Sequence, residues 1–348
     1  MVLLSKSTKL KLLWTYLLII ISVCCTLLTG CEKAEPIDPF TQQVEVVFSP
    51  GGVGDQGYND NILAGLQQAS VKYGFTLAIH MPQEKEQAKE IYEEWREHQL
   101  DDNCNRALFI FSGSEYEYLL DSLTLPADER KDVLMFETKR EVEGIYTFCV
   151  GTYAASYLAG ASSVFEETED KVQKALVIAA NPHDKNVKRS VDGYRDGYLA
   201  AGGNACDVLY LSDHQDGGYN MQDNAYKMCM ERKGEYTYYF SVAGSSNKGV
   251  YRFSRETLDF VVGMDRDMSA FAHMMLFSVA KHMDRAVTDV IGALIKNREI
   301  PYHQNFTYLS GYEELVYAQK QVVNYLPNIS ELKKHIVEIE QAYEEANQ

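Results

Sequence analysis

Short apolar runs alternate with amphipathic stretches along the first part of the chain, from residue 44 onward. The runs are rich in β-branched and aromatic residues, which predicts buried strands. These strands are predicted at residues 44–48, 75–80, 107–112, 133–137 and 145–150. Residues 60–73 predict an amphipathic helix, and residues 84–98 predict a charged one. Strands separated by helices indicate a parallel sheet that is covered on both faces.

The same alternation starts again after residue 150. Strands are predicted at 174–179, 207–211, 236–242, 260–264 and 305–309, and helices at 154–165, 187–201, 220–232, 268–296 and 331–345. Two such series predict an α/β protein with two doubly wound parallel-sheet lobes and a cleft between them. We expect the N-terminal lobe to comprise residues 44–150 with about 265–304, and the C-terminal lobe residues 151–264 with about 305–348.

The start of the chain has the pattern of a lipoprotein signal peptide. Three lysines precede an apolar run at residues 12–28, which is short for a membrane span of roughly 20 residues. The run ends in residues 28–31 (LTGC), which match the lipobox in which the cysteine is acylated. We therefore expect a signal peptide at 1–30, lipid attachment at Cys31 and a tether at 31–43. The alternative is a retained anchor helix, and both interpretations tether the rest of the chain to a membrane outside the cytoplasm.

Charge narrows the choice of partners. The chain has a net charge of −17, and loss of the predicted signal peptide with its three lysines changes this to −20. A strongly acidic protein binds nucleic acid and anionic lipid headgroups poorly, so we expect neither as a partner.

Four cysteines would remain in the mature chain, namely Cys104, Cys149, Cys206 and Cys229. They could form disulfides in an oxidising compartment or stay as buried thiols, and the sequence does not distinguish these alternatives. Their spacing does not match a metal site. We expect no metal ion and no cofactor.

A glycine-rich loop follows the first predicted strand and leads into the first helix. Its three glycines fit the dinucleotide-binding pattern G-x-G-x-x-G within residues 52–57. However, the second strand ends in residues 80–82 (HMP), without the acidic residue that binds a ribose in such proteins. We therefore favour a turn that presents Asp55, Tyr58 and Asn59 to a ligand, although Asp55 could instead only cap the helix.

Residues 52–59 (GVGDQGYN), followed by Gly65 and Leu66, resemble the opening motif of the basic membrane protein family. This family comprises nucleoside-binding lipoproteins of ABC importers. Further resemblances follow in the family's order at residues 153–160 (YAASYLAG), 193–197 (GYRDG), 240–244 (FSVAG), 262–267 (VGMDRD) and 278–281 (SVAK), the last expected on a helix. The resemblance implies a type I periplasmic binding protein-like fold that captures a nucleoside, with a purine expected, for an ABC permease.

The resemblance also implies a ligand-binding site formed by Asp55, Tyr58, Asn59, Glu137, Tyr219, Gly244, Asp265 and Lys281. Tyr58 and Tyr219 would stack on the two faces of the base. Asp55 and Asn59 would fix the first loop and bond the base.

Three of the remaining four residues would bind the sugar side of the ligand. Asp265 would accept the ribose hydroxyls, and Lys281 and the Gly244 backbone would assist it. Glu137, at the end of the fourth predicted strand, falls where the family tends to have an aspartate.

The chain departs from the family pattern at several of these positions. Tyr58 and Tyr219 replace phenylalanines, which adds hydroxyls that must be hydrated or bonded. Gly57 replaces a serine, Glu137 is one methylene longer than aspartate, and Met268 replaces a glutamine. The identity of the base is therefore left open.

Recognisable catalytic motifs are absent from the sequence. It contains no G-x-S-x-G elbow, no H-E-x-x-H motif and no P-loop. We therefore expect a binding protein and not an enzyme. The alternatives are a lipid-anchored sensor, a binder of another small solute such as a sugar, and a nucleoside hydrolase.

Overall fold

The computed structural model describes residues 41–164, 174–296, 299–318 and 329–347. The predicted signal peptide, Cys31 and most of the predicted tether lie outside these residues. Within the described ranges, no helix combines the length and the apolar character that crossing a bilayer requires.

Twelve strands and eight helices occur in the part of the chain that the structure describes. The strands are β1 (Gln42–Val47), β2 (Thr76–His80), β3 (Arg106–Phe111), β4 (Lys131–Phe136), β5 (Ile145–Val150), β6 (Lys174–Ala179), β7 (Ala205–Tyr210), β8 (Tyr238–Val242), β9 (Phe260–Asp265), β10 (Met275–Lys281), β11 (His303–Phe306) and β12 (Glu313–Tyr317). The helices are α1 (Tyr58–Tyr73), α2 (Gln87–Glu97), α3 (Tyr153–Ser162), α4 (Lys185–Ala200), α5 (Gln222–Met230), α6 (Asn247–Thr257), α7 (Met283–Ile295) and α8 (Ile329–Ala346).

The first sheet has the strand order β11–β5–β4–β3–β1–β2, and all its neighbouring strands are parallel. In the central strand β3, residues 107–111 are buried on both faces, which explains its uninterrupted apolar sequence. Helices α1 and α7 cover one face with residues such as Ile62 and Val287. Helix α2 packs Tyr92 and Trp95 against the other face. This sheet and its helices form the N-terminal lobe.

The second sheet has the strand order β12–β10–β9–β8–β6–β7. Its neighbours are parallel except for β12, which runs antiparallel to β10. Helices α3 to α6 and α8 contribute to the core of this C-terminal lobe. The core holds fully buried aromatic side chains, including Tyr194, Tyr198, Tyr238, Tyr239 and Phe240. The predicted class, α/β with two doubly wound lobes, is confirmed.

Helices α3 and α4 approach each other closely at glycines. A Cβ atom on Gly160 would overlap the carbonyl oxygen of Tyr194, and one on Gly197 would overlap that of Tyr157. Both glycines belong to stretches that resemble the basic membrane protein family. These two stretches therefore serve the packing of the C-terminal lobe.

The prediction of one long helix at 268–296 is wrong. The structure has β10 and α7 there, with His282 between them. All seven residues of β10 are buried, and a continuously apolar run lacks the periodicity that distinguishes a strand from a helix. The stretch 278–281, which was expected on a helix, therefore lies on a strand whose last residue is Lys281.

The division between the lobes also differs from the expected one. Strand β10 pairs with β9 and β12, so residues 275–281 belong to the second sheet and not to the N-terminal lobe. Strand β11 pairs with β5 in the first sheet. Helix α6 and strand β12 were not predicted, because charged residues interrupt their apolar positions. In the described residues the chain crosses between the sheets after β5, β10 and β11.

The four cysteines of the described chain are buried free thiols. The structure therefore agrees with the thiol alternative and not with disulfides. Burial raises the pKa of Cys206 and of Cys229 to about 12. Both thiols are consequently protonated and unreactive at neutral pH.

Candidate functional site

Loops at the carboxyl ends of the parallel strands of the two sheets contact each other across a cleft. Ser114 Oγ, which follows β3, lies 3.0 Å from Asp184 Oδ2, which follows β6. Lys248 Nζ donates a hydrogen bond of 3.1 Å to the carbonyl oxygen of Gly54. Ligands of open α/β sheets bind at the carboxyl ends of the strands, so this cleft is the candidate site.

The loop after β1 is held by its own carboxylates. Asp55 accepts hydrogen bonds of 2.9 Å from the backbone N–H groups of Gly57 and Asn59. Asp60 binds backbone N–H groups of the same loop. Asp55 thus fixes the loop and the start of α1, which is the capping role that the sequence left open.

Tyr58 and Tyr219 lie on opposite lobes, and the hydroxyl of each is bonded within the protein. The Tyr58 hydroxyl donates to the carbonyl oxygen of Ser112 over 2.6 Å, and the Tyr219 hydroxyl donates to Asp184 Oδ2 over 2.7 Å. The hydroxyls that distinguish these residues from phenylalanine are therefore satisfied. Lys281 Nζ lies 5.5 Å from the centroid of the Tyr58 ring, within range of a cation–π contact.

A buried ion pair joins the two lobes. Lys281, at the end of β10, pairs with Glu137, which follows β4. Their side chains are only 5% and 4% exposed. Burial alone would lower the pKa of Lys281, but Glu137 and the nearby Cys149 raise it above its usual value. The lysine is therefore charged at neutral pH.

Asp265 ends β9 in the neighbourhood of this pair and is also buried. Burial raises the pKa of Asp265 to about 7, the charge of Asp55 adds to the increase, and Lys281 opposes it. The site of a Cβ atom on Gly57 lies 2.8 Å from Asp265 Oδ2. A glycine at this position, where the family pattern has serine, therefore leaves room for the carboxylate.

Glu137 and Asp265 share an unusual backbone conformation. Their φ angles are 63° and 75°, in the left-handed region that favours glycine. A non-glycine residue there is destabilised by roughly 1–3 kcal/mol, and such residues concentrate at ligand sites. The observed strain at a strand end of each sheet marks both carboxylates as candidate ligand contacts.

Gly244 packs against the ring of Tyr219. Its φ angle is 53°, and a Cβ atom there would lie 3.4 Å from Tyr219 Cδ1. The Ser246 hydroxyl donates to the carbonyl oxygen of Gly218 over 2.6 Å and accepts from the Met221 N–H group over 2.7 Å. These bonds tie the loop that carries Tyr219 to the turn at Gly244.

Three polar residues that the sequence did not single out also reach the site. Asn61 Nδ2 donates to the carbonyl oxygens of Asp265 and Lys281 over 3.1 and 3.3 Å, so it links α1 to the second lobe. Asp184 caps α4 and bonds Tyr219. Glu115 Oε1 is buried without a hydrogen-bond partner. The sequence could have indicated them only by position, since they lie just after predicted strands or in the first turn of a predicted helix.

The eight predicted site residues thus fall into three groups. Those in direct or electrostatic contact around the ion pair are Tyr58, Glu137, Asp265 and Lys281. Tyr219 and Gly244 form a second wall, and Asp55 and Asn59 belong to the first loop. Asn59 is 7% exposed and its Oδ1 has no partner. Across the described residues, no group of His, Cys, Asp and Glu side chains has the arrangement of a metal site.

Solved structures show similarity over most of the chain. A solute-binding protein of an ABC transporter system from Aeropyrum pernix K1 has a TM-score of 0.71 and 16% identity, with 86% of this chain and 92% of that chain covered. A transcriptional activator of the comK gene from Bacillus halodurans has a TM-score of 0.64 and 17% identity, over 88% and 99%. A sugar-binding protein of a sugar ABC transporter from Bacillus halodurans has a TM-score of 0.56 and 14% identity, over 82% and 99%.

These similarities show the fold, which is of the type I periplasmic binding protein-like kind. A search of curated proteins gives no significant match. A family model described as ABC transporter substrate-binding protein PnrA-like matches residues 42–310, which extend over most of both lobes and end before β12. Members of this family are solute-binding proteins rather than enzymes. The chain therefore belongs to the Bmp family of PnrA-like ABC transporter substrate-binding proteins.

Proposed function

We propose that the protein is a lipid-anchored binding protein that captures a purine nucleoside and delivers it to an ABC permease. The observation that carries the proposal is the pair of tyrosines on opposite lobes, Tyr58 and Tyr219, beside buried carboxylates and a buried lysine. The family gives the class of substrate-binding protein. The nucleoside and the lipid anchor are the parts that we propose.

The tyrosines support an aromatic ligand. Each hydroxyl is fixed by a hydrogen bond, so the Tyr58 and Tyr219 rings lose little freedom when a base enters between them. Stacking of a base on an aromatic side chain is worth about 1–3 kcal/mol in nucleic-acid complexes. Two such rings would account for much of the binding free energy of a nucleoside.

Asp265 supports a ligand with a diol. Its two carboxylate oxygens can accept the two ribose hydroxyls, and hydrogen bonds to the charged form favour ionisation. Because burial raises the pKa of Asp265 to about 7, hydroxyl donors would stabilise a charge that burial disfavours.

The charges of the cleft favour a nucleoside over a nucleotide. The acidic groups in it include Asp55, Glu115, Glu137, Asp184 and Asp265. The two lysines described above are already engaged, Lys281 with Glu137 and Lys248 with the carbonyl oxygen of Gly54. A phosphate group would meet several like charges at short range, and Coulomb repulsion in a poorly hydrated cleft is strong.

The deciding experiment is a thermal-shift and calorimetric titration with purine and pyrimidine nucleosides, the corresponding nucleotides, sugars and amino acids. Purine nucleosides are expected to raise the thermal midpoint, because a ligand present at a hundredfold excess over Kd stabilises the folded state by about 2.7 kcal/mol. Nucleotides are expected to cause no shift.

Other results of the same titration would redirect the proposal. Stabilisation by a sugar alone would indicate a binder of another solute. Release of free base from a nucleoside, measured by chromatography of the ligand after incubation, would indicate a hydrolase and contradict the binding-protein proposal.

A further inference from the structure

Glu115 has a buried carboxyl oxygen that nothing in the described chain satisfies. The residue lies in the turn Ser114–Leu119 that follows β3, at the same edge of the sheet as the first loop. Its carboxyl group folds back over Gly113, where a Cβ atom would collide with it. Ser49, which follows β1, is close enough to lower the pKa of the group, while Oε1 is buried without a partner.

The surroundings of this carboxyl group are acidic and aromatic. The titratable groups that interact with it or with its neighbours are Tyr58, Tyr116, Tyr219, Asp184 and Asp216, and Lys85, which pairs with Asp216 across the cleft. Burial raises the pKa of Glu115 to about 7, and the charges of Asp184 and Asp216 add to the increase, although the Ser49 hydrogen bond opposes it.

Glu115 lies within electrostatic reach of both tyrosines. The pKa of Tyr58 is raised by burial, by Glu137 and by Glu115, and that of Tyr219 by burial, by Asp184 and by Glu115. Hydrogen bonds place the same turn next to both rings, because the Tyr58 hydroxyl donates to the carbonyl oxygen of Ser112 while Ser114 Oγ bonds the Asp184 carboxylate that also accepts from the Tyr219 hydroxyl. Leaving a buried polar oxygen unpaired is unfavourable, and a ligand with a suitably placed donor would satisfy it.

We propose that Glu115 Oε1 recognises the edge of the base by accepting a hydrogen bond from a ring N–H group, so that the site prefers oxopurine nucleosides to adenosine. Inosine and guanosine carry an N–H group at N1, whereas adenosine carries an acceptor there. A carboxylate oxygen accepts from the first kind of edge and is repelled by the second. This inference rests on the proposed nucleoside function and adds the specificity-determining residue.

Glu115→Gln tests the inference, because it exchanges the functional group at nearly constant volume. The substitution removes the negative charge and replaces one of the two carboxylate acceptors by an NH₂ donor. We expect the affinity for inosine to fall about tenfold or more, and that for adenosine to stay the same or rise. Glu141→Gln, at an exposed position, is the matched control.

The pH dependence of the wild-type protein gives a second measurement that needs no variant. Below its pKa of about 7 Glu115 is protonated, which removes the charge and turns one of its two oxygens into a donor. The ratio of inosine affinity to adenosine affinity should therefore fall about tenfold between pH 8 and pH 6. Asp265 titrates in the same range but contacts the ribose in both complexes, so its contribution cancels in the ratio.

The outcomes separate the two proposals. An inosine-to-adenosine ratio that is the same in Glu115→Gln as in Glu141→Gln would overturn the role of Glu115 while leaving the nucleoside function intact. A pH-independent ratio in the wild-type protein would overturn it too, even if the Gln variant fails to fold. Absence of binding by every nucleoside would overturn both the inference and the proposed function.

Discussion

At the scale of single residues, the buried carboxylate of Asp265 lowers the stability of the folded protein but suits the binding of a ligand. Burial raises the pKa of Asp265 to about 7 in the folded protein, above the usual aspartate value of 3.8. The folded state therefore holds this proton more tightly than the unfolded state, and the contribution of Asp265 to stability declines as pH rises between these values. The carboxylate is thus a destabilising group that ligand hydroxyls would satisfy.

Asp265→Asn should separate these two effects. The amide keeps the shape of the side chain but has no charge to bury, so the ligand-free variant should be at least as stable as the wild type at pH 8. Nucleoside affinity should fall about tenfold or more, because the charged acceptor is lost. Thermal unfolding with and without nucleoside measures both quantities.

The control is Asp267→Asn, two residues along and exposed, where the carboxylate only bonds the Ser269 N–H group. This variant should bind like the wild type. Wild-type affinity in Asp265→Asn would mean that the carboxylate is not a ligand contact.

Site residues could be predicted from the sequence where they lie in an uncommon sequence pattern. The loop that carries Tyr58 was visible because its glycines and Asp55 form an uncommon pattern. Glu115 was invisible because a glutamate in a polar turn is ordinarily a solvated residue. Its character comes from the burial of its carboxyl group and from the charge of Asp184, and neither can be read from neighbours in sequence.

Among the secondary-structure elements, prediction failed for two different reasons. Near β10 every residue is buried, and a buried strand and a buried helix have the same apolar sequence. Helix α6 and strand β12 were missed because charged residues interrupt their apolar positions. The failure near β10 displaced the lobe boundary and put Lys281 on a helix. Amphipathic helices such as α1 were placed correctly because one face stays in water and preserves the periodicity.

At the contact between α3 and α4, we expect a glycine-to-alanine substitution to lower the free energy of unfolding, which is the opposite of its usual effect in a helix. Replacing a helical glycine by alanine normally stabilises a protein by roughly 0.5–1 kcal/mol. In Gly160→Ala the new methyl group would overlap the backbone of Tyr194, so we expect destabilisation by about 1–3 kcal/mol or more. Urea denaturation measures the change in the free energy of unfolding.

Gly51→Ala is the matched control, because no atom lies within 4 Å of a Cβ at that position. It should leave the free energy of unfolding nearly unchanged. A Gly160→Ala variant as stable as this control would show that the helices can separate without loss, contrary to the close packing described here.

At the scale of the whole molecule, side-chain bonds across the cleft hold the two lobes in contact. Lys85 pairs with Asp216, and Ser114 bonds Asp184. Three chain crossings in the described residues connect the sheets, so a hinge movement about them would break these bonds and open the cleft. A tethered protein with such a hinge could keep its ligand close to a permease.

The tether itself is tested at Cys31. In a bacterial host the wild-type chain should yield a mature protein that begins at an acylated Cys31, as seen by mass spectrometry of its N-terminal peptide, and should partition with membranes. Cys31→Ser should abolish acylation and membrane partitioning without changing ligand affinity. Cys25→Ser, within the predicted signal peptide, should behave like the wild type, and an unmodified Cys31 in the wild type would contradict the anchor.

The N-terminal lobe is formed by two segments that are far apart in sequence, and this affects the order in which it can fold. Helix α7 covers the same face of the first sheet as α1, and β11 supplies one edge of that sheet. Both are synthesised after the strands of the other lobe that precede them, β6 to β10. A nascent chain released at β5 would expose the apolar face of α1, so this lobe cannot be completed before residue 306 leaves the ribosome.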